Sequence, residues 1–299
     1  MNRPQIVDQP TDALLRRLVA SGGAVPLGFE LFPPRSERRR AQLYETVERL
    51  APVAREGFSV TMGAGGTTRT GTHETAVEVA RRTGLPVTAH LTALGLSRAD
   101  ALETADRLWD DGIRSILALR GDRPRAVQGP LPPGFAHAAD LVAALRARHD
   151  FEISVAAYPE KHPEAGTLDE DIDHLKEKLD AGARVAYCQF VLDPAAYGRF
   201  LDACARHGIT APIVPGLMPL DGWARVRGFA RANGTSVPDW LDGLFRHSED
   251  RPEMQPYLAS AATVEQARRL IAYGAPALHV YTMNRWPLPL ALSRVLGHA

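Results

Sequence analysis

The sequence predicts an α/β protein of the (β/α)8 TIM barrel class, on two observations. Eight short β-rich segments alternate with amphipathic helical segments over about 260 residues, which matches this barrel in both count and length. Several of the eight are nearly continuous apolar runs, as expected of parallel strands that are buried on both faces. We expect one barrel domain over residues 1–299, with residues 1–25 as an N-terminal extension or helix.

The predicted strands follow one another at intervals that leave room for a helix between each pair. They are Leu27–Pro33, Gly57–Gly63, Val87–Ala93, Ser115–Asp122, Glu152–Tyr158, Val185–Leu192, Pro212–Met218 and Leu278–Asn284.

Local signals predict where the helices begin and end. Ser36 and Ser97 each precede an amphipathic segment. The pair Thr167 and Glu170 has the spacing of a capping box, and Asp193 precedes a helix-compatible proline. Glycines stand where four helices should end before the next strand, at Gly57, Gly112, Gly182 and Gly208.

A doubly wound sheet is the main competing architecture. It is disfavoured because the G-x-G-x-x-G fingerprint is missing: the nearest string, GAGGTT at residues 63–68, lacks the last glycine. About 60 residues separate the last two strands and predict two or three helices. The Pro/Gly-rich stretch at 123–135 predicts an active-site cover.

The composition excludes several classes of protein. Hydrophobic residues make up 45% of the 299 residues and charged residues 23%, which is typical of a soluble globular protein. Lys+Arg and Asp+Glu both number 35. The sequence therefore lacks the excess of basic residues that would indicate nucleic-acid binding. Cys188 and Cys204 are too few for a disulfide scaffold or a four-thiolate zinc site. Since neither a signal core nor a membrane-length apolar run is apparent, we expect a cytoplasmic protein with no membrane partner.

Polar residues stand at the predicted carboxyl ends of the strands, where barrel enzymes place their chemistry. Glu30 is either a carboxylate paired with a barrel arginine or a general acid whose pKa is raised by its phenylalanine neighbours. Taken alone, Asp122 could pair with Arg120, and His90 could be a core histidine. A site is favoured because these residues occur together at one end of the barrel: Glu30, Thr61, His90, Asp122, Tyr158, Gln189, Tyr281 and Arg285.

These segments together resemble the methylenetetrahydrofolate reductase family. The string FELFPP at residues 29–34 is similar to the family's FEFFPP opening. The resemblance covers roughly residues 27–295 in order. It continues through VTMG (60–63), AHLT (89–92), LRGD (119–122), SVAAYPEKHPEA (154–165), QF (189–190), PGLMP (215–219) and YTMNR (281–285).

The resemblance implies a reaction and its small-molecule partners. NADH or NADPH would reduce a bound flavin, FAD, which would then reduce 5,10-methylenetetrahydrofolate to 5-methyltetrahydrofolate. The carboxylate that matches Glu30 is the family's general acid, which protonates N10 of the folate and assists ring opening. Asp122 would lie by the flavin and the pterin and stabilise the developing iminium charge. A homo-oligomer is compatible with the sequence.

The resemblance also assigns residues to the two ligands. Gln189 matches an amide that contacts folate, and Tyr281 and Arg285 match residues near the folate or the nicotinamide. Trp223 stands where relatives often have a phenylalanine, and either ring could stack on one of these ligands. The flavin contacts are matched by Thr61, His90, Arg120, Gly121, Asp122, Tyr158, His162, Asp171 and Lys178.

Two departures from the family pattern keep a flavin-independent alternative open. His174 and Glu177 stand where asparagine and arginine are familiar beside the flavin's diphosphate and adenosine. An acidic residue there should weaken anion binding. Some relatives of this fold pass hydride directly from nicotinamide to folate. The four flavin-contact matches in the adjoining segment favour FAD: Tyr158, His162, Asp171 and Lys178.

Two other classes of function remain as alternatives. A metal-dependent barrel hydrolase could use His90, His162 and Asp122, but the first strand lacks an H-x-H pair, so we expect no metal. A non-catalytic folate-binding protein would not need a buried acid such as Glu30 together with Asp122 and Gln189. Cys188 should point to the strand face opposite Gln189 and belong to the core.

Overall fold

Parallel strands close into a barrel in the computed structural model, which describes residues 25–63, 69–121, 134–248 and 250–298. Each strand pairs with the next along the chain, and the last pairs with the first. The strands are β1 (Leu27–Leu31), β2 (Phe58–Val60), β3 (Val87–Thr92), β4 (Ser115–Leu119), β5 (Glu152–Ala157), β6 (Val185–Phe190), β7 (Ile213–Leu217) and β8 (Leu278–Tyr281).

Helices follow the strands and cover the outside of the barrel. They are α1 (Glu37–Leu50), α2 (Arg69–Thr83), α3 (Arg98–Asp110), α4 (Ala138–Arg148), α5 (Leu168–Asp180), α6 (Pro194–Arg206), α7 (Trp223–Ala232), α8 (Asp239–Arg246), α9 (Gln255–Ala272) and α10 (Pro287–Val295), with 3-10 turns at Ala51–Val53 and Pro252–Met254. Three of them, α7 to α9, lie between β7 and β8, which confirms the two or three helices predicted there. No helix within the described ranges is long and apolar enough to cross a membrane.

The predicted barrel and its helix starts are confirmed. Ser36 and Ser97 accept hydrogen bonds from the backbone N–H groups three residues on, at 3.4 and 3.0 Å. Thr167 and Glu170 form both bonds of a capping box, at 3.2 and 3.1 Å, and Asp193 caps α6. These bonds satisfy N–H groups that a helix leaves unpaired in its first turn. The predicted extension at 1–25 and the predicted cover at 123–135 lie mostly outside the described residues.

Gly57 shows why a glycine precedes β2. Its φ is +72°, and a Cβ there would lie 2.1 Å from the carbonyl oxygen of Pro86. We expect Gly57→Ala to lower the free energy of unfolding by about 1–2 kcal/mol for the left-handed backbone alone, and by more because the Pro86 carbonyl must shift. Gly84 also has positive φ (+66°) but nothing within 4 Å of its Cβ position. Urea unfolding of Gly84→Ala should therefore show the backbone cost alone, and equal losses in the two variants would contradict the steric argument.

The two faces of the barrel sheet differ in character. The outer face is apolar and packs against the helices, with Phe29 and Cys188 almost fully buried, so the prediction that Cys188 belongs to the core is confirmed. The inner face carries polar groups that are also buried, including His90, Ser154 and His279. A second apolar cluster, under α7 to α9, is centred on Trp223 and Phe245. Barrel interiors are usually filled by branched apolar side chains, and barrel enzymes place their active sites at the carboxyl ends of the strands. We call this end of the barrel the mouth.

Candidate functional site

Glu30 lies near the carboxyl end of β1, inside the barrel, with its side chain 15% exposed. Its Oε2 is 3.2 Å from Nε2 of His279 and 3.7 Å from Nε2 of His90. The register places it beside Tyr281 on β8. These contacts fix the position of the Glu30 carboxyl, which can donate or accept hydrogen bonds there.

Phe29, one of the two phenylalanines that flank Glu30 in the sequence, does not supply apolar surroundings for its carboxyl. Successive side chains of a strand point to opposite faces, so Phe29 lies on the outer face. There its ring is 6.2 Å from that of Phe58. The groups around the carboxyl are two imidazoles and a phenol. No arginine pairs with Glu30 within the described part of the chain, so the paired-carboxylate alternative lacks its partner there.

His90 is a neutral imidazole at neutral pH. Burial lowers its pKa to about 4, and the nearby Glu30 carboxylate only partly opposes this. Its Nε2 is buried and has no hydrogen-bond partner among the described residues. Buried polar atoms normally have partners, so this nitrogen, 3.7 Å from Glu30 Oε2, is available to accept or donate one further hydrogen bond.

The loop after β8 fixes the backbone around Glu30. Thr282 Oγ1 donates a hydrogen bond of 2.6 Å to the Glu30 carbonyl. The Asn284 amide accepts from Phe32 N–H at 3.1 Å and donates to the Phe32 carbonyl at 2.8 Å. Met283 and Asn284 both have left-handed φ, +52° and +54°, which side chains rarely adopt unless the surroundings enforce it. This role of YTMNR was not predicted, although the motif itself was noted.

Tyr281 spans the inside of the barrel from β8 to β6. Its hydroxyl donates to the Cys188 carbonyl at 3.2 Å. The ring crosses β7 at Gly216, where a Cβ would lie 2.6 Å from Tyr281 Cε2. Burial raises the pKa of Tyr281 well above its usual range, so the phenol stays neutral. Gln189, next to this contact, accepts the Phe190 N–H at 3.0 Å through Oε1, which turns its amide nitrogen to other partners.

The ends of β4 and β5 carry the predicted flavin contacts. Arg120 pairs with Glu164 at 2.5 Å, and this pairing lowers the pKa of the Glu164 carboxyl. The rings of Tyr158 and His162 meet edge to face at 4.6 Å. Asp171 accepts the His162 N–H at 2.8 Å and so holds the loop after β5 against α5.

Lys178 is a buried ammonium group at the base of this loop. Its Nζ donates to the Ala156 carbonyl at 2.7 Å. Burial lowers its pKa to about 8, while the charges of Asp171 and Glu177 act in the opposite direction. An ammonium has three donors, and the one described hydrogen bond leaves capacity for an anion.

The residues present fit an aromatic cofactor that carries a diphosphate. An unpartnered imidazole nitrogen at His90 suits the polar edge of a ring system, and the buried cation Lys178 suits a phosphate. Glu177 is exposed and lies 3.3 Å from His174. The imidazole of His174 is therefore a hydrogen-bond partner of the Glu177 carboxylate, and the acidic departure from the family pattern remains at this position.

Several predicted site residues are placed away from the Glu30 cluster. Trp223 is 6% exposed, stacks on Phe245 at 4.8 Å and donates to Asp242 at 3.2 Å, so the structure gives it a packing role and its stacking on a ligand stays a prediction. Arg285 pairs with Asp221 at 2.5 Å.

For two further predicted residues, Thr61 and Gly121, the structure shows backbone features at the mouth. A third, Asp122, lies outside the described residues. Thr61 donates its N–H to the Leu31 carbonyl. Gly121 has φ +83° and approaches the Thr92 methyl. The predicted place of Asp122 beside the flavin and pterin stays a prediction.

Sequence reasoning missed His279. It sits two residues before the YTMNR motif, and only the closed barrel brings it to Glu30, 249 residues away. A polar residue at an inward position of the last strand was the one available signal. No group of three or more His, Cys, Asp and Glu within the described ranges could hold a metal ion.

Comparison with known proteins gives consistent matches over nearly the whole chain. The model of the methylenetetrahydrofolate reductase family matches residues 15–297. A 5,10-methylenetetrahydrofolate reductase of Pectobacterium carotovorum is 38% identical over 286 residues, 96% of this chain and 95% of the relative. That of Escherichia coli is 36% identical over 290 residues, with the same coverage.

A solved structure shares the fold. It is that of an uncharacterized protein from Clostridium thermocellum that binds two copies of 5-methyl-5,6,7,8-tetrahydrofolic acid. It has a TM-score of 0.60 at 14% identity and covers 94% of this chain and 98% of its own. At that identity the likeness shows the barrel and nothing finer.

Proposed function

This chain belongs to the methylenetetrahydrofolate reductase family, and we propose that it reduces 5,10-methylenetetrahydrofolate to 5-methyltetrahydrofolate with NADH or NADPH through bound FAD. The observation that carries the proposal is the carboxyl of Glu30, held inside the barrel mouth by His279 and by the Thr282 contact to its own carbonyl. A cytoplasmic location and a homo-oligomer stay predictions from the sequence.

Glu30 supplies the acid in this proposal. It holds a proton on its carboxyl and gives it to N10 of the folate, so that the five-membered ring opens and an iminium cation is exposed at N5. His90 is neutral, and Tyr281 keeps its phenol proton, which it donates to the Cys188 carbonyl, since burial shifts the pKa values of both groups. Neither group competes with Glu30 for the acid role near neutral pH.

Gln189 and the loop after β5 bind and orient the partners. The amide nitrogen of Gln189 can donate to the pterin edge, because its oxygen is already used by Phe190 N–H. When bound, FAD would carry the two electrons between nicotinamide and folate. Lys178 and His162 would hold its diphosphate, and Thr61, His90, Arg120, Gly121 and Tyr158 would line its ring. Asp122 is proposed to stabilise the positive charge that develops on the folate.

The test is the absorption spectrum of the purified protein combined with turnover of methylenetetrahydrofolate by NADH and by NADPH. Flavin bands near about 380 and 450 nm that bleach on adding NAD(P)H and return on adding the folate support the proposal. Full turnover without any flavin would favour the direct hydride transfer that Glu177 keeps open. Binding of folate without turnover would instead indicate a non-catalytic folate-binding protein.

Lys178→Ala is expected to weaken FAD binding. Loss of a charged hydrogen bond of about 1.5–3 kcal/mol corresponds to roughly a 10- to 150-fold higher Kd. The same change leaves the Ala156 carbonyl without its donor, so we also expect a lower free energy of unfolding. In the protein without FAD, burial lowers the pKa of Lys178 to about 8. FAD retention should therefore also fall above that pH, as the ammonium loses its proton.

The measurement is FAD content after dilution, with the unfolding free energy determined on the same samples. Lys176→Ala is the matched control, since Lys176 lies on the same helix and pairs with Asp180 at the surface. Equal FAD retention in the two variants would remove Lys178 from the cofactor site.

A further inference from the structure

A pocket opens at the amino end of the barrel, opposite the mouth. We call it the amino-end pocket. The space between its lining atoms together with the open solvent at its entrance is about 270 Å³, and its lining includes Gly28, Glu56, Ser59, Tyr187 and His279. Glu56 is exposed, whereas Ser59 and His279 are 5% and 4% exposed. The pocket therefore leads from the surface to buried polar groups inside the barrel.

His279 separates this pocket from the candidate acid. Its Nε2 is 3.2 Å from Oε2 of Glu30, while its Nδ1 is 3.9 Å from the position that a Cβ on Gly28 would occupy. Because Gly28 lines the amino-end pocket and has no side chain, no Cβ of Gly28 stands beside Nδ1. One nitrogen of the ring thus contacts the acid and the other faces the route to the surface.

The pocket has a place for water. Ser59 Oγ is buried and has no hydrogen-bond partner among the described residues. Buried hydroxyls usually find a partner, and ordered water supplies it where the cavity is polar. The rings of Tyr187 and His279 are 4.8 Å apart, and burial together with the charge of Glu56 raises the pKa of Tyr187 to about 12. The neutral phenol is then a further donor for such water.

The proposed reaction needs a proton from outside the site. Reduction of the folate by NAD(P)H takes up one proton per turnover, and this proton ends on N10. A folate bound at the mouth would cover Glu30 from that side, so a supply from the opposite end would let the acid recharge while the ligand is bound.

We propose that His279 relays this proton from water in the amino-end pocket to Glu30. This inference rests on the proposed function. Nδ1 takes a proton from pocket water as Nε2 passes its proton to Oε2 of Glu30, and Glu30 then protonates N10. Each turnover moves one proton inward and leaves one hydroxide, or one hydronium fewer, in the pocket. Reorientation of the imidazole restores the N–H toward Glu30 before the next turnover.

The titratable groups that face His279 come from every neighbouring element. They are Glu30 on β1, His90 on β3, Tyr187 on β6, Tyr281 on β8 and Glu56 just before β2. Burial keeps His90 and both tyrosines neutral near pH 7.

The experiment compares variants that distinguish two roles of His279: passing a proton to Glu30 and holding the Glu30 carboxyl in place. His279→Gln keeps an amide donor for Glu30 but cannot pass a proton through. We expect its kcat to fall by about 10- to 100-fold, which reaches only the lower limit of the usual range for proton transfer, with KM for the folate unchanged and a larger solvent deuterium isotope effect. In His279→Ala, added imidazole should restore turnover through the pocket. It should not restore Glu30→Gln, which lacks the acid itself.

A second variant tests the route without touching the ring. Gly28→Ala places a methyl 3.9 Å from Nδ1 and 3.2 Å from the Cβ of Glu56, and should lower kcat in the same direction. The control is Gly228→Ala on the exposed side of α7, where nothing lies within 4 Å. FAD reduction by NAD(P)H is measured on each sample and should stay unchanged, since it does not need this proton.

The outcomes separate the two proposals. If His279→Gln turns over at the wild-type rate with the wild-type isotope effect and pH profile, His279 is not a relay, and Glu30 is supplied from the mouth. If KM rises and kcat holds, His279 only supports the binding site, and the relay is again overturned. If the wild-type protein does not reduce methylenetetrahydrofolate at all, the proposed function is wrong, and the relay, which rests on it, is overturned with it.

Discussion

Glu30→Gln is expected to slow folate reduction by about 10²-fold or more, the usual scale of general acid catalysis. The amide is nearly the same size and can still hydrogen-bond His279, but it has no acidic proton to give to N10. Reduction of FAD by NAD(P)H should survive, because no ring opens in that half of the reaction. The measurement is stopped-flow absorbance of the two half-reactions, each started separately.

The control for Glu30→Gln is Glu48→Gln. Glu48 is exposed on the outer side of α1, where its carboxylate lies 3.4 Å from the guanidinium of Arg82. Because this surface pair is outside the barrel, the same chemical change there should alter neither half-reaction. An equal loss in both half-reactions of Glu30→Gln would make Glu30 a structural residue. Wild-type folate reduction in that variant would place the acid elsewhere.

Gln189→Glu is expected to weaken folate binding by about 5- to 150-fold, from a loss on the order of 1–3 kcal/mol for a buried hydrogen bond. Gln189 Oε1 accepts the Phe190 N–H, and a carboxylate can keep that bond. What it loses is the amide donor, and it adds a negative charge to the mouth that already holds Glu30. FAD should remain bound, since Gln189 is not among its proposed contacts.

The measurement for Gln189 is a folate titration of flavin reoxidation, with flavin content determined on the same sample. Gln189→Met is the matched variant, because it removes the donor without adding charge. A smaller loss in Gln189→Met than in Gln189→Glu would separate the two effects. Unchanged folate affinity in Gln189→Glu, or loss of flavin instead, would move Gln189 out of the substrate site.

The local sequence predicts the strands and the helix starts because their causes are local. Ser36, Thr167 and Asp193 cap helices through bonds that span two or three residues. Such signals operate within a few residues of the chain and do not depend on the rest of the fold.

The contacts of a side chain depend on segments that are distant in the sequence, so the sequence alone predicts them less well than it predicts strands and helix starts. Phe29 points away from Glu30, and the polar contacts of the carboxyl come from β3 and β8. The resemblance assigns Lys178 to the flavin, but only the packing of α5 on β5 places its Nζ on the Ala156 carbonyl. Trp223 reads as a stacking residue, yet the helices after β7 enclose it against Phe245.

The sequence by itself determined the barrel, the family and the polar residues at the strand ends, because period, caps and motif order are carried along the chain. Only the tertiary structure decided that His279 contacts Glu30 and that a pocket lies behind it, because barrel closure joins β8 to β1 across 249 residues of separation. No local propensity encodes that contact: it exists only when every strand between them is paired in register.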